Sequence, residues 1–158
     1  GKGRMVEPHE IVENIITFFN PSMPLKNKRI LITAGPTYEA IDPVRFISNH
    51  SSGKMGFALA NVAIELGAEV ILISGPSEEK ISHPSISVIK VLSAEKMFEK
   101  VKKYYSNVDI AISAAAVSDF KPKNYRAQKI KKNKNLQSIE LSPTKDILAY
   151  MGKKKKDQ

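Results

Sequence analysis

Two short apolar runs constrain this chain most: RILIT at residues 29–33 and EVILIS at residues 69–74. Neither alternates, so neither suits a sheet with one wet face. Continuous runs of this length are typical of parallel strands buried on both faces. The first run is closed by Ala34, Gly35, Pro36 and Thr37, and the second by Gly75 and Pro76. Between them residues 53–66 read as a helix, with Ser51 or Ser52 as its cap and Gly67 as its stop. Met55, Phe57, Ala58, Val62, Ala63 and Leu66 give that helix an apolar side. Residues 86–92 are a third strand candidate. Ser93 caps a helix running to about Tyr105, with Met97, Val101 and Tyr104 inward, and residues 108–114 form a fourth strand. The order strand, helix, strand, strand, helix, strand predicts an α/β chain. Its expected form is a Rossmann-like three-layer fold with a mostly parallel sheet, right-handed crossovers and helices on both faces.

The flanks are less regular. Residues 1–20 read as a short helix, with Pro8 at an early helical position and Ile11, Val12, Ile15, Ile16 and Phe19 at helical spacing. Residues 20–24, NPSMP, break the chain and look like a linker before the main fold. Near the other end, residues 136–141 are a strand candidate and residues 145–151 a short helix.

Composition narrows the function classes. No apolar run is long enough to cross a bilayer, no cysteine is present, and a cytoplasmic protein without a membrane partner is expected. The formal net charge of +9 favours anionic partners. Lys121, Lys123, Arg126, Lys129, Lys131, Lys132 and Lys134 fall in one stretch without an acid, and Lys153 to Lys156 form a second block. Such runs read equally as solvated surface. Tyr125 is the only aromatic in residues 121–135, too few for the stacking platforms of a single-strand binder, and no nucleic-acid partner is expected.

Ligands of open α/β sheets sit at the carboxyl ends of the strands. Three features fall there: residues 34–56, the turn after Ser74, and residues 114–120. The stretch ISNHSSGKMG at 47–56 is polar and runs into a helix start. Exposed N–H groups there attract phosphate. Gly53 and Gly56 permit close approach, Lys54 adds charge, and Ser51 and Ser52 can donate; a plain serine-capped helix is the competing reading. The phosphate loop GxxxxGK[ST] fails twice, at Ser48 and at Met55. The fingerprint GxGxxG is missing after Gly35, and the second strand ends in Ser74 rather than an acid, which disfavours NAD chemistry. Asn49 can hold a carbonyl or oxyanion or simply serve a turn. His50 reads as a general base or, more simply, a hydrogen-bonding loop residue. Asp119, after the small residues Ala114 to Ala116, reads as a ribose, base or metal ligand or as a cap.

Together these segments resemble one family. AGPTYEAIDPVRFISNHSSGKMGFA at 34–58 looks like the signature of bacterial phosphopantothenate–cysteine ligases, AAAVSDF at 114–120 like a second signature, and KIKK at 129–132 like a third. The resemblance covers roughly residues 27–151. GRMVEPHEIV at 3–12 is similar to the end of the decarboxylase half of the bifunctional bacterial enzyme. The resemblance therefore implies that residues 1–26 end a preceding decarboxylase half and its linker, and that residues 27–158 are a ligase domain cut short at its C-terminus. In that family the carboxylate of 4′-phosphopantothenate attacks the α-phosphate of CTP, pyrophosphate leaves, and cysteine then displaces CMP from the acyl-cytidylate. The roles implied are catalytic for Asn49 and Lys129, with Asn49 and Ala116 also meeting the acyl substrate. The resemblance gives nucleotide contacts to Gly35, Ser51, Ser52, Gly53, Lys54, Ser113, Ala114, Ala115, Asp119 and Lys129, and to a closing segment of Pro143, Thr144, Lys145 and Asp146. It further implies CTP as substrate, Mg²⁺ beside it, FMN in the decarboxylase half alone, and a homodimer. A nucleotide-binding fragment without turnover and a basic nucleic-acid-binding domain are the alternatives.

Overall fold

The computed structural model describes residues 3, 5–19, 22–131 and 138–156. Its centre is a four-stranded parallel sheet in the order β5-β4-β1-β6. The strands are β1 (Arg29–Ala34), β4 (Glu69–Ser74), β5 (Ile86–Lys90) and β6 (Ile110–Ser113). β1 lies in the middle, with Ile32 opposite both Leu72 and Ile112. Successive residues of a strand point to opposite faces. Ile30, Ile32 and Ala34 therefore join Phe57, Ala60 and Ala63 of α2 (Lys54–Glu65) in one core. Leu31 and Ile73 join Met97 and Val101 of α3 (Ala94–Tyr104), with Ile147 and Met151 of α4 (Ile147–Lys154), in a second core. Helices thus cover both faces, and the continuous apolar runs are explained: every side chain of β1 from Ile30 on is buried.

The smaller elements came from no apolar pattern. A hairpin of β2 (Glu39–Ala40) and β3 (Phe46–Ile47) lies inside what reads as a polar loop, and β7 (Phe120–Pro122) pairs antiparallel with β8 (Leu141–Pro143). Two- and three-residue strands are too short to show a period. β8 lies later than the strand expected over 136–141. Residues 138–140 are not a strand, and Leu136 and Gln137 fall outside the described residues, as do Lys132 and Lys134 of the basic stretch. The last helix also starts later than expected, at Ile147, because Asp146 caps it by accepting from the Ala149 N–H at 2.8 Å. α1 (Pro8–Phe19) has no buried residue. Asn20 and Pro21 of the expected linker fall outside the described residues.

Two expectations about α2 need correction. Its N-cap is Gly53, at φ 84°, and not Ser51 or Ser52. The chain enters the helix through a left-handed turn that a serine would adopt only at a cost. The buried face also differs in part from the one expected, although Phe57 and Ala63 are buried as expected. Gly56, Phe57, Ala60 and Ala63 face the sheet, whereas Met55 (71 % exposed), Ala58 and Val62 (50 %) face out. Small residues won the inner face because the helix lies very close to β1. A Cβ built on Gly56 would sit 2.4 Å from the Ala34 Cβ.

That contact outweighs helix propensity. In an exposed helix, glycine to alanine gains up to about 1 kcal/mol. We expect this gain at Gly152 of α4, where an added Cβ meets nothing within 4 Å. Gly56→Ala should instead destabilise by about 1–3 kcal/mol through overpacking. Urea denaturation of the two variants reads the opposite signs; a stabilised Gly56→Ala would contradict the close approach of α2 to β1.

Candidate functional site at the carboxyl end of the sheet

In an open parallel sheet the crevice lies where the strand order reverses. Here β1 leads through α2 to β4 on one side, and the chain returns later to β6 on the other. A cavity of about 350 Å³ sits at this point, lined by Thr33, Ser113, Ala115, Val117, Asp119 and the segment Thr144 to Leu148.

Six of the residues singled out in the sequence line this cavity: Ser113, Ala115, Asp119, Thr144, Lys145 and Asp146. Four others do not line it but are tied to the segments that do, three through the backbone and Asn49 through its side chain. The Ala114 N–H donates to the Thr33 carbonyl at 3.1 Å and the Ala116 N–H to the Gly35 carbonyl at 2.9 Å. The Asn49 amide donates to the Val117 carbonyl at 3.0 Å, with the Ala116 carbonyl at 3.5 Å. This holds the Asn49 side chain on the loop that forms the cavity wall. Pro143 pairs with Phe120 across β7 and β8.

The start of α2 does not line this cavity but packs against the end of β1 beside it. Gly53 is buried, and its Cβ position is 3.4 Å from the Gly35 Cα, so the helix start abuts the end of β1. Ser51 Oγ accepts from the Gly53 N–H at 3.3 Å and Ser52 Oγ from the Lys54 N–H at 3.4 Å. Bonds of that length are weak, and an anion could replace them at the positive end of the helix. The side chains of Ser51, Ser52 and Lys54 are exposed, as is His50. Lys129 is exposed and does not line the cavity. Its neighbour Ile130 is tied to the β2–β3 hairpin instead: its N–H donates to Asp42 Oδ2 at 3.1 Å, and its carbonyl accepts from Arg45 Nη2 at 2.6 Å.

The charges around the cavity are arranged unevenly. Lys145 pairs with Glu95 at 2.6 Å and lies 5.0 Å from the centre of the Phe98 ring. The hydrogen bond from Lys145 holds the Glu95 carboxyl below its ordinary value. Burial alone would raise Asp42. The N–H groups of Ile130, Val44 and Arg45, with the Arg45 guanidinium, overcome it and hold this carboxyl at about 2, below the ordinary 3.8. A carboxylate depressed on folding stabilises the fold above its unfolded pKa and loses that contribution as pH falls through its folded pKa. The Asp42 contacts are therefore fully formed at neutral pH and weaken only between about 4 and 2.

Thr37, Glu39 and Asp42, which hold the loops together with Thr144, are not among the residues singled out in the sequence. Thr37 is buried and its Oγ1 accepts from the Ser118 N–H at 3.0 Å. Thr144 Oγ1 donates to the Ser118 carbonyl at 2.7 Å. Glu39, also buried, accepts from the Ala94 N–H at 2.8 Å and so caps α3 from a distance. A signal existed for Asp42: Asp–Pro begins turns in which the aspartate accepts from amides two and three residues on. For Thr37 and Glu39 there was none, because their partners lie 81 and 55 residues away.

Comparison with known proteins places the chain in a family. Residues 25–158 match the model of the DNA/pantothenate metabolism flavoprotein C-terminal domain. The chain is 49 % identical to the coenzyme A biosynthesis bifunctional protein CoaBC of Bacillus subtilis (strain 168), over 100 % of this chain and 39 % of that protein. It is 51 % identical to a cysteine/cysteine sulfinic acid decarboxylase of an unknown prokaryotic organism, over 99 % of this chain and 45 % of that protein. It thus spans less than half the length of either relative. Among solved structures, the C-terminal domain of a CoaBC protein superposes with a TM-score of 0.75 at 49 % identity, covering 87 % of this chain and 64 % of that one. The DNA/pantothenate metabolism flavoprotein of Streptococcus pneumoniae gives 0.71 at 26 %, covering 80 % and 64 %.

The Thr37 contact can be tested without any ligand. Thr37→Val keeps the shape and leaves the buried Ser118 N–H without its acceptor, which should cost about 1–3 kcal/mol in chemical denaturation. An unchanged midpoint would mean that the 114–120 loop does not depend on this bond.

Proposed function

The chain belongs to the family of DNA/pantothenate metabolism flavoprotein C-terminal domains, and on that premise we propose that it is the ligase part of a coenzyme A biosynthesis enzyme, condensing 4′-phosphopantothenate with cysteine at the expense of CTP. The observation that carries this reading is the cavity at the strand-order reversal, where the AAAVSDF loop and the segment 144–148 meet. The start of α2 and the Asn49 side chain stand beside it. A nucleotide laid across the ends of β1 and β6 would touch all four.

The chemistry requires two steps. A carboxylate is a poor electrophile, because the group that must leave is oxide. A carboxylate oxygen of 4′-phosphopantothenate attacks the α-phosphorus of CTP, the bond to the β-phosphate breaks, and pyrophosphate carries away the electron pair. The cysteine amine then attacks the acyl carbon, CMP leaves, and the amine loses a proton. Charge develops on phosphate oxygens in the first step and on the acyl oxygen in the second. Preorganised donors facing those oxygens stabilise the transition states.

The residues divide between these steps. Ser51, Ser52, Gly53 and Lys54 offer hydroxyls, amides and a cation to the phosphates. Gly35, Ser113, Ala114, Ala115 and Asp119 border the nucleoside, and Pro143 to Asp146 close over it. Lys129 neutralises the triphosphate during activation. Asn49 and Ala116 hold the acyl group for attack by cysteine. Mg²⁺ is typically held by one or two carboxylates plus substrate phosphates. Asp119 and Asp146 supply such carboxylates at the cavity, and among the described residues no group of three or more metal-ligating side chains exists. The donor set therefore fits an ion carried mainly by the triphosphate, where it would neutralise the leaving pyrophosphate.

Residues 1–26 we assign to the end of a preceding decarboxylase half and its linker, and FMN to that half. The decarboxylase activity named for one relative we likewise assign to the part of that protein which this chain does not cover. A homodimer completes the reading.

Calorimetric titration with CTP and Mg²⁺, with ATP as control, tests the proposal. CTP should bind in preference to ATP, and Lys129→Ala should weaken it about 10-fold, or roughly 1.4 kcal/mol. Asn49→Ala should leave CTP affinity within about 3-fold while stopping conversion of the acyl-cytidylate. If neither nucleotide binds, even in a chain extended beyond Gln158, the ligase reading is wrong.

A further inference from the structure

Lys129 lies on an exposed segment, and its usefulness in activation depends on where that segment is held. Asp42 is 2 % exposed, and its two oxygens do different work. Oδ1 accepts from the Val44 and Arg45 N–H groups at 2.8 and 2.9 Å, which shapes the turn between β2 and β3. Oδ2 pairs with Arg45 Nη2 at 2.9 Å and accepts from the Ile130 N–H at 3.1 Å. The same Arg45 nitrogen donates to the Ile130 carbonyl at 2.6 Å. Both backbone groups of the residue after Lys129 are thus gripped by one ion pair, a buried carboxylate with a half-exposed guanidinium. A second tie lies upstream, where the Arg126 N–H donates to the Ile41 carbonyl at 3.0 Å.

The hairpin that supplies this grip is itself fixed. Glu39 accepts from the N-terminus of α3, the Tyr38 N–H donates to the Leu92 carbonyl at 2.7 Å, and the Tyr38 and Phe46 rings stack with centroids 4.0 Å apart. Two residues beyond β3 the same chain reaches Asn49, whose amide is held on the Val117 carbonyl. The hairpin therefore connects the two side chains to which the ligase reading gives the chemistry.

We infer that Asp42 is a positioning residue: through Arg45 and Ile130 it holds Lys129 in register with Asn49, so that nucleotide activation and acyl transfer act on one bound intermediate. The inference rests on the ligase reading. Asp42 touches neither substrate; it removes the freedom of a lysine-rich segment that would otherwise sample many positions. A misplacement of about 1 Å at a reacting group can cost on the order of 100-fold in rate.

Asp42→Asn isolates this function. Its amide oxygen can still accept from Val44 and Arg45, so the turn survives. Its NH₂ group would face the Ile130 N–H and the Arg45 guanidinium, donors against donors. In the intact protein, pyrophosphate release from CTP and 4′-phosphopantothenate should slow roughly 100-fold in kcat, with KM for CTP within about 3-fold. In a Lys129→Ala background the same substitution should cost at most about 2-fold more, because the two act as one unit. Trypsin cleavage after Lys129, followed by mass spectrometry, should accelerate with or without substrate. Ile130→Pro removes the donor from the other side and leaves the 42–45 turn intact; it should reproduce the fall in kcat, with faster trypsin cleavage read after Lys131 because trypsin does not cut a Lys–Pro bond, and it decides the matter if Asp42→Asn does not fold. A wild-type rate, wild-type cleavage, or a full additive loss on top of Lys129→Ala would overturn the inference. If the wild-type protein releases no pyrophosphate with any nucleotide, the ligase reading itself falls, and that result appears before any variant is made.

Discussion

The loops at the carboxyl end of the sheet have only short ladders to satisfy their backbone, and buried side chains do much of that work instead. Among the described residues the buried polar ones are Thr33, Thr37, Glu39, Asp42, Ser74 and Ser118, and all lie at this end of the fold. Four accept from backbone amides: Thr33 from Ala115, Thr37 from Ser118, Glu39 from Ala94 at the start of α3, and Asp42 from Val44, Arg45 and Ile130. Ser74 and Ser118 donate to the carbonyls of Gly75 and Thr37. Burying an amide without a partner costs a few kcal/mol, so irregular backbone can stand this close to the core only where such partners exist. None of the buried side-chain polar atoms described is left without one. The cavity walls owe their shape to this set of bonds more than to any secondary structure.

The same constraint explains what could be read in advance. The central strands and α3 were legible because burial forces a pattern: continuous apolar runs for strands covered on both faces, and Met97 and Val101 at helical spacing for a helix covered on one. Ser93 was legible as a cap because capping is local; its Oγ accepts from an amide three residues on. α2 was legible as a helix and misread as a surface. Its tight approach to β1 reverses the usual rule that larger apolar side chains face inward, putting Gly56 inside and Met55 outside. Of the hairpin at 39–47 only the Asp–Pro turn left a local signal; its place in the fold is fixed by bonds to residues far away in the chain.

The site was legible in a different way. Ser113, Ala115, Asp119, Thr144, Lys145 and Asp146 share one cavity although the two groups are separated by the whole basic stretch. Nothing in spacing or periodicity brings them together; the likeness of residues 114–120 to a family signature, and the closing segment 143–146 that the resemblance implies, did. A signature omits which buried residues hold those segments. Asp42 shows the distinction. As part of a signature it is one letter among many, whereas in the fold it accepts from three amides and an arginine.

Lys145 presents the one apparent conflict between the cavity and a nucleotide. It lines the cavity yet is already paired with Glu95 and lies over the Phe98 ring. The side chain of Lys145 is 55 % exposed and that of Glu95 34 %. An ion pair this open is worth about 0–1 kcal/mol, because water screens it and two long side chains must be ordered to form it. A triphosphate offers several negative oxygens in a more enclosed place, where the same cation gains more. The pair with Glu95 is therefore weak enough to exchange. The pair also keeps the lysine directed toward α3, and under the ligase proposal it would give way only to a ligand with more charge than a single carboxylate.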